Sequence, residues 1–131
     1  MQKEKNNNNV LALTVSYLQW GREIDVAGSM RTSSENFHEE HVTFTLNRLV
    51  ITDKEKCAEE IIKKCRENDF ASTLFSYDVA KPNALYGTVY RSRFSMKGHK
   101  PLFHFRYTQT ADTLGSYNIV DDPEAFTLVI E

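Results

Sequence analysis

The chain has 131 residues, a formal net charge of −2, 40% apolar and 26% charged residues, and only 5 Gly and 3 Pro. At roughly 100–200 residues per domain, that length gives one domain. The composition excludes a collagen-like repeat, a disordered polyampholyte and a disulfide scaffold, and the near-zero charge excludes the chain as a whole being a nucleic-acid or membrane-surface binder.

The small net charge is a cancellation. Residues 1–78 carry 10 Lys/Arg and 13 Asp/Glu, residues 79–111 carry 6 Lys/Arg and no acid, and residues 112–131 carry 5 Asp/Glu and no base. Exposed mixed charge is the ordinary surface state. The basic and acidic blocks are therefore expected to compensate each other, within the chain or across a dimer interface.

In chain order, residues 1–8 with their asparagine run read as a disordered tail, and residues 9–131 as a single domain. Residues 10–20 fit both a strand and a helix stripe, since a run this short has no decisive period. No apolar run reaches 18 residues, so no membrane span is expected. Lys3 and Lys5 precede the apolar stretch as in a signal peptide, but Arg22, Glu23 and Asp25 follow it without a cleavage site. A cytoplasmic protein is expected.

The alternation of Val42, Phe44 and Leu46 against Thr43, Thr45 and Asn47 predicts a strand over residues 41–51, with a turn at Asn47 and Arg48 and a short return at 49–51. Thr52 and Glu55 match a capping box. Apolar residues at 57, 58, 61, 62 and 65 then give one helical face over residues 53–67, which Asn68 and Asp69 close. Cys57 and Cys65 lie about 12 Å apart on that helix, too far for a disulfide, and read as buried core. Four extended segments follow, at 72–79, 84–96, 101–109 and 117–130. The middle two read as a hairpin around residues 97–100, and Asp121, Asp122 and Pro123 interrupt the last.

With a loop centred near residue 98, Arg93 falls opposite His104 and Arg91 opposite Arg106. Side-chain parity then gives an aromatic face (Tyr86, Tyr90, Phe94, Phe103, Phe105, Tyr107) and a basic face (Arg91, Arg93, His104, Arg106).

This order of elements resembles the nuclear transport factor 2-like superfamily, which includes SnoaL-like cyclases and ketosteroid isomerase. The residues carrying the likeness are Tyr17 to Trp20, Ile24 and Asp25, Ser29 and Met30, Phe37 to Phe44, Asp53 to Cys57, His104 to Tyr107 and Tyr117 to Asp122. It implies an α+β fold: N-terminal helices packed in a curved, mainly antiparallel sheet, a cone-shaped, cystatin-like half-barrel around an apolar pocket. It tips residues 10–20 toward helix. It also implies Tyr17, Trp20, Tyr86, Tyr90, Phe105 and Tyr107 as pocket lining, and a homodimer through the outer sheet face.

The histidines of His38-Glu39-Glu40-His41 are three apart, not the four that puts two ligands on one helix face, and no third ligand is evident. No metal or cofactor is expected. His38, His41 and Asp78 are the acid–base candidates, with Asp25 a further carboxylate of interest. No P-loop, nucleophile elbow, dinucleotide fingerprint or C-x-x-C occurs. Nucleic acid and membrane are not expected as partners. The expectation is a non-enzymatic module holding an apolar small molecule in the cone or a protein partner on the sheet; the alternative is a cofactor-free isomerase, cyclase or dehydratase.

Overall fold

A computed structural model describes residues 24–47, 51, 53–71, 73–110 and 116–131. Five strands form one mixed sheet in sequence order: β1 (Asp25–Ser34), β2 (Phe37–Thr45), β3 (Ala84–Tyr90), β4 (Phe103–Gln109) and β5 (Phe126–Ile130). Among the described residues one α-helix, α1 (Lys54–Glu67), lies between β2 and β3.

The chain enters the sheet by a hairpin. β1 and β2 are antiparallel, joined through Glu35 and Asn36 with Ser34 opposite Phe37. β2 and β3 are parallel, with His41 opposite Tyr86. Parallel neighbours need a crossover of a dozen or more residues, and α1 supplies it. β3–β4 and β4–β5 are antiparallel.

The stripe that marked α1 in sequence is its buried face: Cys57, Ala58, Ile61, Ile62 and Cys65. Asp53 caps the helix, its Oδ1 accepting from the Lys56 N–H at 3.1 Å. The Thr52 of the expected capping box lies outside the described residues. Asn68 ends the helix in the left-handed region, φ 56°, where its N–H reaches the Cys65 carbonyl. Asn tolerates this conformation better than other non-glycine residues.

The helix stripe covers the inner sheet face, where Val42, Phe44, Leu85, Val89, Phe103 and Phe105 are all buried. Gly87 belongs to this face for a packing reason: a Cβ there would overlap the Phe105 ring. Ile119 closes one end of the core at 0% exposure. Its segment is clamped to the helix by Arg66, whose Nε and Nη2 donate to the carbonyls of Ile119 and Val120 at 2.8 and 3.1 Å. Arg66 is therefore half-buried, off the solvated face its helical position suggests.

Four expectations are corrected. N-terminal helices packed in a cone-shaped sheet are not what the described residues build: they hold one α-helix, and it follows the first two strands. Residues 25–34, to which no element is assigned from the sequence, form the longest strand among the described residues. Residues 73–79 contain no strand. The fourth concerns the β3–β4 connection. It runs over residues 91–102, far longer than four residues, because β3 stops at Tyr90. There Ser92 and Ser95 bond each other's backbone: Ser92 N to Ser95 Oγ at 2.9 Å, Ser95 N to Ser92 Oγ at 3.3 Å. Such local bonds compete with a ladder, and a 3₁₀ turn (Phe94–Met96) follows.

Candidate functional site

The register of β3 and β4 decides which side chains share a face. Thr88 lies opposite His104 and Tyr86 opposite Arg106. The expected pairing put Arg93 and Arg91 in those places, a slip of five residues. An odd slip exchanges the two faces of one strand. Phe103, Phe105 and Tyr107 are buried on the inner face as expected, but Leu85, Gly87 and Val89 are their neighbours. Tyr86 and Tyr90 are half-buried on the other face.

That outer face turns away from α1. One row crosses all five strands: Met30, His41, Tyr86, Arg106 and Val129 are successive register partners. Met30 is 64% exposed. His41 and Tyr86 stack with ring centroids 4.7 Å apart and planes 9° from parallel. His41 Nε2 is 3.2 Å from Glu39 Oε1, and Arg106 Nη1 donates to Glu131 Oε2 at 2.5 Å. Burial, then the charge of Glu39, hold the Tyr86 hydroxyl above its ordinary pKa. It is a neutral hydrogen-bond donor at any physiological pH. Beside the row, Thr88 Oγ1 and His104 Nδ1 are 3.2 Å apart.

A second feature lies at the hairpin end of the sheet, an open polar groove of about 710 Å³ lined by Glu35, His38, Tyr77, Lys81, Asn83 and Asp121 among others. Asn83 is its anchor. It is 7% exposed, accepts from the His38 N–H at 2.9 Å, and donates through Nδ2 to the Tyr117 carbonyl at 2.7 Å. His38 Nδ1 is 2.8 Å from Ser33 Oγ. Lys81 Nζ meets Asp121 Oδ2 at 2.9 Å, and Asn118 Nδ2 donates to the same oxygen at 3.1 Å. These hydrogen bonds hold the Asp121 carboxyl below the ordinary aspartate range.

Behind the groove, on the inner face, Glu40 is 4% exposed. Arg31 Nε and Nη2 hold its Oε1 at 2.9 and 2.8 Å, and Arg31 Nη1 donates to the Ala80 carbonyl at 2.8 Å. Tyr77 donates its hydroxyl to the Cys65 carbonyl at 2.6 Å. Burial is the main reason that both the Tyr77 hydroxyl and the Cys65 thiol are pushed far above their usual values.

The predicted acid–base residues do not converge. His38 lines the groove, His41 lies on the outer face, and Asp78 is in an exposed turn. A separation of three on a strand sends the two histidines to opposite faces, and among the described residues no group of three or more His, Cys, Asp or Glu is placed to share a metal ion. Of the predicted pocket lining, Phe105 and Tyr107 are core residues, Tyr86 and Tyr90 face outward, and Tyr17 and Trp20 lie outside the described residues. Of the predicted basic face, His104 and Arg106 are in place, while Arg91 and Arg93 sit in the loop beyond β3. Neither Asn83 nor the Arg31–Glu40 pair carries a local sequence signal. The charge blocks do meet within the chain, at Lys81–Asp121 and Arg106–Glu131.

No protein-family model, curated protein or solved structure matches the chain. Among the described residues no helix is long and apolar enough to cross a membrane.

Proposed function

We propose that the chain is a non-enzymatic binding module whose partner contact is the outer face of the sheet, and that a second copy of the chain occupies it. The row from Met30 to Val129 carries this reading. A methionine at 64% exposure beside a stacked His–Tyr pair, outside the packed core, is the composition of a contact surface.

The charges argue for self-association. Glu39 sits beside His41 and Glu131 beside Arg106, so the face carries both signs and selects no strongly charged partner. A two-fold contact sets each patch against its own copy, and mixed charge suits that arrangement. Five strands at about 4.8 Å spacing and seven residues at about 3.3 Å rise give roughly 19 by 23 Å of face. That is about 440 Å² per copy, below the roughly 600–800 Å² a side of a standard stable interface, so the dimer is weak and transient. A catalytic role has less support, since His38, His41 and Asp78 are dispersed and the inner face is filled by side chains.

Sedimentation equilibrium tests the proposal. The wild type should dimerise reversibly in the micromolar range, and Met30→Glu should be monomeric at the same concentrations with an unchanged circular dichroism spectrum. A wild type that stays monomeric, or a dimer indifferent to Met30→Glu, would overturn it.

A further inference from the structure

The connection between β3 and β4 concentrates one sign of charge. Residues 91–102 contain Arg91, Arg93, Lys97 and Lys100 and no acid. All four are exposed, and Arg93, Lys97 and Lys100 form no ion pair with any described residue. Between the two pairs of cations, the 3₁₀ turn Phe94–Met96 presents two apolar side chains. Phe94 is 81% exposed and Met96 37%.

This exposure is built into the fold. The Ser92 and Ser95 bonds fix the turn, and the Lys97 N–H donates to the Phe94 carbonyl at 3.2 Å. Gly98 continues at φ 82°, where a side chain would be strained. Leu102 returns the chain to the sheet through its N–H to the Val89 carbonyl at 2.7 Å.

We propose that this loop docks on an anionic lipid surface, with Phe94 and Met96 entering the interfacial zone and Arg93, Lys97 and Lys100 contacting headgroup phosphates. Charge complementarity requires an anionic partner. The apolar pair favours a lipid surface over a single-stranded nucleic acid, because Met96 offers no stacking platform and nucleic-acid grooves align several rings. The net charge of −2 does not oppose this, since charges beyond a Debye length of about 8 Å are screened at physiological salt. This site is distinct from the sheet-face contact.

Flotation with phosphatidylcholine vesicles, with and without phosphatidylserine, tests the proposal on the full chain. The protein should float only with the anionic vesicles and be released by high salt. Lys97→Gln should weaken partitioning about five-fold, and Phe94→Ser should weaken it on the order of ten-fold. Both positions are exposed, and circular dichroism checks that the fold persists. Failure to bind anionic vesicles, equal binding to neutral ones, or wild-type binding by Phe94→Ser would overturn the proposal. So would tighter binding of a soluble polyphosphate or single-stranded RNA than of the vesicles.

Discussion

Replacing Arg31 by Ala removes the only charged partner that the described residues give Glu40. The pair has side-chain exposures of 22% for Arg31 and 6% for Glu40. Two hydrogen bonds are lost, one to Glu40 and one to the Ala80 carbonyl, together with the Nη2–Oε1 ion-pair contact. Breaking a buried pair from one side costs about 3–5 kcal/mol. Arg31 is one-fifth exposed, so water can reach part of the vacated space, and the low end, about 3 kcal/mol, applies. For a chain of this size that is roughly a 10 °C fall in Tm. The reverse truncation, Glu40→Ala, should cost less, about 1–2 kcal/mol, because the guanidinium of Arg31 can turn toward water. The double variant Arg31→Leu/Glu40→Leu should lie within about 1 kcal/mol of wild type, since an apolar pair often replaces a buried ion pair without loss. Urea unfolding of the four proteins measures all three differences. An Arg31→Ala cost below about 1 kcal/mol, or a double variant no better than Arg31→Ala, would refute the reasoning.

Three further outcomes follow from the packing and the groove. Gly87→Ala should destabilise by about 1–3 kcal/mol in urea, because its Cβ would enter the Phe105 ring; an unchanged midpoint would contradict that contact. Cys57 and Cys65 are 4% and 0% exposed, and burial raises the Cys65 thiol. Labelling by a thiol reagent at pH 8 should therefore follow the unfolding rate, and reaction at a free-thiol rate would refute their burial. The Asp121 carboxyl is depressed by the hydrogen bonds from Lys81 and Asn118. Its stabilising effect is complete above the ordinary aspartate value of about 3.9 and is lost as pH falls through the lower folded value. A carboxyl NMR titration should place Asp121 below that value in wild type and closer to it in Lys81→Ala; a midpoint at or above it in wild type would contradict the pairing.

The elements legible in the sequence are those with a strong period and one buried face. The α1 stripe and the Val42, Phe44 and Leu46 alternation were readable because each buries its apolar side in the one shared core. β1 was not, because residues 28–34 are largely exposed and its polar side chains show no clean alternation. Its signal lay in the partner: only two residues separate the end of β1 from the start of β2, a hairpin connection. The β3–β4 faces were misassigned because residues 90–94 alternate aromatic and basic like a strand. The Ser92–Ser95 bonds, not periodicity, end β3. A single register error then moved Tyr86 from the expected pocket to the outer face, where it meets His41. Asn83 and Arg31 had no local pattern to reveal them, since each acts across the chain: Arg31 on Ala80, and Asn83 on His38 and Tyr117.

Hydroxyl-radical footprinting across a concentration series tests the sheet-face contact most directly. Met30 and Tyr86 report on that face, and Tyr117, 40% exposed near the polar groove, serves as the reference. The proposal predicts that Met30 and Tyr86 become protected as concentration rises through the micromolar range while Tyr117 does not. Equal reactivity of Met30 and Tyr86 at all concentrations would contradict it.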